Sequence, residues 1–189
     1  MAEGRLPNLR LNREYALMAK DRQLPKTDRE FIRTNLSNAQ WLIDAINQRR
    51  RARVVDMTAE MLGRPWPGAK IAVLGAAFKP ESDDIRDSPA LNVAGRLHLF
   101  GAHVTVHDPQ AMPNAQRSWP TLHYSGSVLE ACAGAHVVLV HTEWQHFREI
   151  DPEVLGRVVA TRAIVDGRNC LDPQVWRDAG WGYRALGRP

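Results

Sequence analysis

Apolar positions change their spacing along this chain, and each change marks a different kind of element. From about Asn38 to Leu62 they recur at steps of three and four: Trp41, Leu42, Ala45 and Ile46, then Val54, Val55, Met61 and Leu62, with Thr58 in register. That spacing gathers them on one side and predicts a long amphipathic helix. Gly63 and Pro65 end it, since glycine accepts the left-handed turn just past a helix and proline cannot continue one. Beyond Trp66-Pro67-Gly68 the pattern shortens. Ile71 to Gly75 is almost continuously apolar, as a strand buried on both faces should be. Ser88 can cap the next helix, with Pro89 at its first position, where a missing N–H costs nothing. Leu91, Ala94, Leu97 and Phe100 form its expected buried stripe, and Gly101 its stop. His103 to His107 predicts a second strand, Ser127 to about Gly134 a short helix, His136 to His141 a third strand, and Ala163 to Val165 a fourth. Strands alternating with helices predict an α/β fold: a Rossmann-like parallel sheet with helices on both faces, preceded by the long amphipathic helix.

Three regions follow from this pattern. Residues 1–37 are a polar, Arg-rich lead with Pro7 and Pro25 and no sustained period, expected to be poorly ordered apart from a short helix near Tyr15 to Lys20. Residues 38–66 carry the long helix, and residues 67–189 the α/β domain. With 44% hydrophobic and 24% charged residues, the composition is that of an ordinary soluble globular protein. No apolar run approaches the roughly 18 residues of a membrane span. The first residues lack the apolar core of a signal peptide, so a cytoplasmic location is expected. The two cysteines, Cys132 and Cys170, do not suggest a disulfide framework.

The formal net charge of +4 suits an anionic small ligand as well as nucleic acid. Much of the excess lies in Arg49-Arg50-Arg51-Ala-Arg53, in the middle of the helix. Without interleaved aromatics or a known motif, that cluster reads as a solvated face or a domain or dimer contact, and no nucleic-acid partner is expected.

Candidate chemistry concentrates at the ends of the strands. The first strand runs into Phe78-Lys-Pro-Glu-Ser-Asp-Asp-Ile-Arg-Asp-Ser-Pro89. A loop between strand and helix sits where open α/β sheets bind ligands. Lys79 offers a compact charge for a phosphate or sugar hydroxyl, and Arg86 a planar fork for an anion. The competing reading is a solvated loop in which Lys79, Glu81, Asp83, Asp84 and Arg86 pair among themselves. Gly75-Ala-Ala-Phe78 lacks the G-x-G-x-x-G spacing of a dinucleotide site. His103, His107, His136 and His141 have no neighbouring cysteine or carboxylate at ligand spacing, so no metal site is expected. Cys132, among alanines, and Cys170 read as structural.

The loop resembles the signature of the C-terminal domain of the UDP-glucose/GDP-mannose dehydrogenase family, roughly A-F-K-P-x-T-D-D-x-R-x-S-P. Thr142-Glu143-Trp144, followed by Phe147, and Asp166-Gly167-Arg168-Asn169 resemble the family's T-E-W…F and D-G-R-N. The likeness runs from about Asn38 to the C-terminus. It implies that Phe78, Lys79 and Arg168 contact a UDP-sugar substrate and that Arg86 reaches a bound NAD. It also implies that the 38–62 helix links two Rossmann-like halves and builds a homodimer.

The resemblance also exposes departures. The family oxidises with an N-terminal glycine-rich NAD domain and a cysteine nucleophile in G-x-C-x-P-K-D. Gln23-Leu-Pro-Lys-Thr-Asp28 looks like a remnant of the latter, with Gln23 at the cysteine position. Glutamine is no nucleophile, so no catalytic residue is expected in this chain. The implied roles are the nucleotide-sugar portion of a UDP-glucose 6-dehydrogenase or, alternatively, a stand-alone nucleotide-sugar-binding or dimerisation module.

Overall fold

The computed structural model describes residues 26–187. The first element among the described residues, α1 (Lys26–Leu62), contains neither glycine nor proline. It begins well before the apolar period does, so residues 26–37 are helical rather than a loose lead. Local pairs support this polar stretch: Lys26 with Glu30 at 3.9 Å, and Gln40 Nε2 donating to Asp44 Oδ1 at 3.0 Å. The described side chains of this stretch are mostly exposed, and an exposed helix needs no apolar repeat, which is why the pattern missed it. Tyr15 to Lys20 and Gln23 to Pro25 lie outside the described residues.

The chain divides into two units between Arg49 and Arg50, within α1. In the first unit Trp41 is 71% and Leu42 50% exposed. In the second, Val54, Val55, Met57 and Thr58 are buried, and the Thr58 hydroxyl donates back to the Val54 carbonyl at 2.7 Å.

The second unit is a single six-stranded sheet in the order β3-β2-β1-β4-β5-β6, with every pair parallel. The strands are β1 (Lys70–Leu74), β2 (His103–His107), β3 (His123–Tyr124), β4 (Val137–Val140), β5 (Ala163–Asp166) and β6 (Gly182–Ala185). β3 and β6 are edge strands that the sequence pattern does not announce. One is two residues long and the other reads Gly-Tyr-Arg-Ala, so neither carries an apolar run. β4 and β5 are buried at every position, which is why they were legible.

Helix α2 (Pro89–Leu99) starts as expected, with the Ser88 hydroxyl accepting from the Leu91 N–H. Leu91, Ala94 and Leu97 are buried, but Phe100 is not. It lies past the last helical residue, 45% exposed, and stacks on Trp66 with ring centroids 5.8 Å apart. Four short helices escape the periodicity argument: α3 (Met112–Ser118), α5 (Gln145–Arg148), α6 (Pro152–Leu155) and α7 (Pro173–Asp178). Two of them are started by aspartate caps, Asp151 and Asp172, rather than by an apolar repeat. The Ser127 helix is α4 (Val128–Cys132). Among the described residues, no helix is long and apolar enough to cross a membrane.

β1 lies between β2 and β4, so the chain leaves its carboxyl end at the point where strand order reverses. In a parallel sheet, that position opens a crevice above the strand ends.

Candidate functional site

Gly75 ends β1 with φ +105, and a Cβ there would lie 2.4 Å from Thr142 Oγ1. Only glycine lets the loop pass so close to the end of β4. The next two residues are held by their polar groups. Ala76 and Ala77 N–H both donate to Asp108 Oδ2, at 2.8 and 3.0 Å. The Ala76 carbonyl accepts from Ser88 Oγ at 2.6 Å, and the Ala77 carbonyl from Thr142 Oγ1 at 2.9 Å.

Asp108, at the end of β2, is the hub of this arrangement. Its Oδ2 also accepts from Trp144 Nε1 at 3.1 Å, while Oδ1 accepts from the Gln110 and Ala111 N–H at 3.0 and 2.8 Å. The residue is 1% exposed, so the carboxylate is buried and amply satisfied. Asp166 plays the matching role at the end of β5. It accepts from Arg168 N–H at 2.9 Å, Leu171 N–H at 2.8 Å and the Tyr183 hydroxyl at 3.0 Å.

These two turns place Arg168 over the strand ends. Its Nη2 donates to the Phe78 carbonyl at 2.9 Å, and its Nε lies 2.7 Å from Glu143 Oε2 as an ion pair. One guanidinium therefore joins the loops after β1, β4 and β5. The Phe78 ring itself is 48% exposed, leaving a face free to stack on a ligand.

The two remaining sequence candidates stand apart from this junction. Among the described residues Lys79 is exposed and makes no hydrogen bond or ion pair. Arg86 is forked on Asp84, with Nη2 2.7 Å and Nε 3.2 Å from Oδ2 and Nε 3.0 Å from Oδ1. The hydrogen bonds from Arg86 hold the Asp84 carboxyl down at about 2. The self-paired reading of this loop thus describes Arg86, while Lys79 adds only its charge to the field that lowers the Asp84 pKa. Beside the pair lies a shallow cleft of about 530 Å³, bounded by Asp83 to Arg86 and by Asn114, Arg117 and Ser118. Arg51 Nη2 fastens the loop from below by donating to the Asp87 carbonyl at 3.0 Å, where the backbone is left-handed at φ 52.

With this geometry in place, comparison with known proteins is decisive. Residues 72–173 match the model of the UDP-glucose/GDP-mannose dehydrogenase family, UDP binding domain. The chain belongs to the UDP-glucose/GDP-mannose dehydrogenase family. It is similar to the UDP-glucose 6-dehydrogenase of Rhizobium meliloti (strain 1021), with 37% identity over 145 residues, 77% of this chain and 33% of the relative. It is similar as well to the UDP-glucose 6-dehydrogenase TuaD of Bacillus subtilis (strain 168), with 33% identity over 152 residues, 78% of this chain and 33% of the relative. Among solved structures it resembles a UDP-glucose dehydrogenase from the hyperthermophilic archaeon Pyrobaculum islandicum, at TM-score 0.67 and 26% identity, covering 92% of this chain and 42% of the other. The chain spans about a third of the length of the curated relatives it matches.

Phe78, Lys79, Arg86 and Arg168 all fall inside the matched UDP binding domain. That domain does not fit a dinucleotide in the manner of a G-x-G-x-x-G unit. The Ala76 and Ala77 N–H groups point at Asp108 rather than at a diphosphate, and Asp108 is itself saturated where a ribose hydroxyl would need it. Burial pushes the Cys132 thiol up to about 12, and burial with the nearby Asp166 carboxylate does the same for Cys170. Among the described residues, no group of three or more His, Cys, Asp or Glu side chains could hold a metal ion. The rings of His103 and His123 stack with centroids 3.9 Å apart, and desolvation lowers the His103 pKa.

Sequence reasoning found Arg168 and Phe78 but not the contact between them. Glu143 was legible only as part of a motif, and Asp108 only as the residue before a proline. Their roles depend on which loops meet.

Proposed function

We propose that this family member carries the UDP-sugar side of a UDP-glucose 6-dehydrogenase, oxidising UDP-glucose to UDP-glucuronate when completed by an NAD-binding half. The observation that carries this reading is the junction at Arg168, where three family segments converge at the carboxyl ends of β1, β4 and β5. On this reading Phe78 packs against the nucleotide sugar, and Lys79 and Arg168 hold its charge. A cation beside a diphosphate is worth more when it is oriented in advance, and Arg168 is held from both sides.

Arg86, already aligned by Asp84 and exposed, is proposed to reach NAD bound by the other half. With Cys132 and Cys170 both held as thiols, the chain supplies no nucleophile for the second oxidation, and alone it is expected to be catalytically silent.

Calorimetry with UDP-glucose and absorbance at the NADH band test the two halves of this proposal. Saturable binding without NADH production is expected. No binding at millimolar ligand would remove the nucleotide-sugar reading, and UDP-glucose-dependent NAD reduction would remove the claim of silence.

A second role is supported by the first unit. Trp41, Leu42 and Ile46 are exposed on one side of α1, an apolar face suited to a second copy of the helix. A homodimer through residues 38–62 is expected in sedimentation equilibrium, and a monomer at all concentrations would exclude it.

A further inference from the structure

The family segments do not account for His141. It sits one residue past β4, is 4% exposed, and presents a buried Nε2 with no hydrogen-bond partner among the described residues. A position so deep in a parallel sheet ordinarily takes an aliphatic side chain, which would pack without leaving a polar atom unmet. The ring is also tightly placed. A Cβ at Gly167 would lie 3.0 Å from His141 Cε1 and Nδ1, so the imidazole rests against the turn that carries Arg168.

Two other buried atoms nearby lack an aligned hydrogen bond. Arg168 Nε and Glu143 Oε2 approach to 2.7 Å, close enough for an ion pair, yet the N–H does not point along the contact. A donor, an acceptor and an imidazole nitrogen capable of either role are therefore gathered at the ends of β4 and β5. Buried polar atoms in native proteins are almost always satisfied by protein, water or ligand. Desolvation and the Arg168 charge keep the imidazole neutral, so it can donate or accept without adding a second cation beside the guanidinium.

We propose that His141 is a positioning residue of the nucleotide-sugar site, holding the Arg168–Glu143 pair in its ligand-binding orientation through one water hydrogen-bonded to its buried Nε2. This rests on the reading of that site as a UDP-sugar site. It goes further by naming a side chain outside the family segments as a determinant of affinity.

The test compares the full chain with His141→Leu and His141→Gln, using UDP-glucose and UDP as probes. Calorimetry gives affinity, urea unfolding gives stability, and nitrogen-15 NMR follows the imidazole. For His141→Leu, affinity is expected to fall about five- to tenfold, the size of one lost neutral hydrogen bond, with stability at neutral pH unchanged or raised. His141→Gln, which restores a polar group near the same depth, is expected to recover part of the affinity. The wild-type Nε2 resonance should move on saturation with ligand. If wild type binds and His141→Leu binds equally well with an unmoved wild-type imidazole, the positioning role is overturned while the site reading stands. If wild type binds neither probe, both fall together.

Discussion

Arg168 and Phe78 are 90 residues apart in the chain, yet the guanidinium Nη2 of one donates to the backbone carbonyl of the other at 2.9 Å. The same side chain forms an ion pair with Glu143 at 2.7 Å. A lysine has one nitrogen and cannot span both partners with fixed geometry. Arg168→Lys should therefore keep the charge but lose its orientation, weakening UDP-glucose binding about tenfold or more, as Arg168→Ala should. Calorimetry on both variants checks this. Wild-type affinity in Arg168→Lys would mean that only charge matters.

Asp108 is expected to act on stability before anything else. It accepts five hydrogen bonds at 1% exposure, from four backbone N–H groups and the Trp144 indole. Asp108→Ala leaves those donors buried and unmet and should cost about 3 kcal/mol or more. The difference in urea unfolding midpoint at constant slope measures it.

Gly75→Ala meets two obstacles at once. The backbone is left-handed at φ +105, and the added methyl would stand 2.4 Å from Thr142 Oγ1. Because the Thr142 backbone nitrogen is also within 2.6 Å, trimming the Thr142 side chain should not rescue the variant. A loss of roughly 2 kcal/mol or more is expected from strain and overpacking, read as a lower thermal midpoint.

Acid should destabilise the fold through His141. Its pKa is pushed down from 6.5 to about 4, first by burial and then by the Arg168 charge. The unfolded chain takes up this proton near pH 6.5 while the folded chain refuses it until about pH 4. The contribution is thus fully present above pH 6.5 and falls away between there and pH 4, by about 3 kcal/mol. Unfolding of His141→Leu should show a shallower pH dependence across that window. An unchanged slope would place the titrating group elsewhere.

The Asp84–Arg86 pair makes a local prediction of the same sign at lower pH. The Asp84 carboxyl is depressed from 3.8 to about 2 by its hydrogen bonds from Arg86. Its pairing should hold above pH 3.8 and be lost only as pH falls through about 2. Carbon-13 NMR of the side chain should show that midpoint, and Arg86→Ala should return it toward the ordinary carboxylate value.

Strands β1, β4 and β5 were legible because burial on both faces forces an unbroken apolar run, as at Ile71 to Leu74, and helix α2 because Ser88 and Pro89 open it. The edge strands β3 and β6 were not, since an edge can form from residues that bury little, and neither were helices as short as α5 and α6. The polar start of α1 escaped because its sequence carries no sustained apolar period. Of the site, the chain alone determined the candidates Phe78, Lys79, Arg86 and Arg168, through motifs read along a line. Which of them meet was decided only by tertiary structure. Parallel pairing brings the ends of β1, β4 and β5 side by side, so Arg168 reaches Glu143 and Phe78 while Arg86 turns to Asp84. Asp108 became a hub, and His141 a buried imidazole whose Nε2 has no partner among the described residues, for the same reason: hydrogen bonding and desolvation act between neighbours in space.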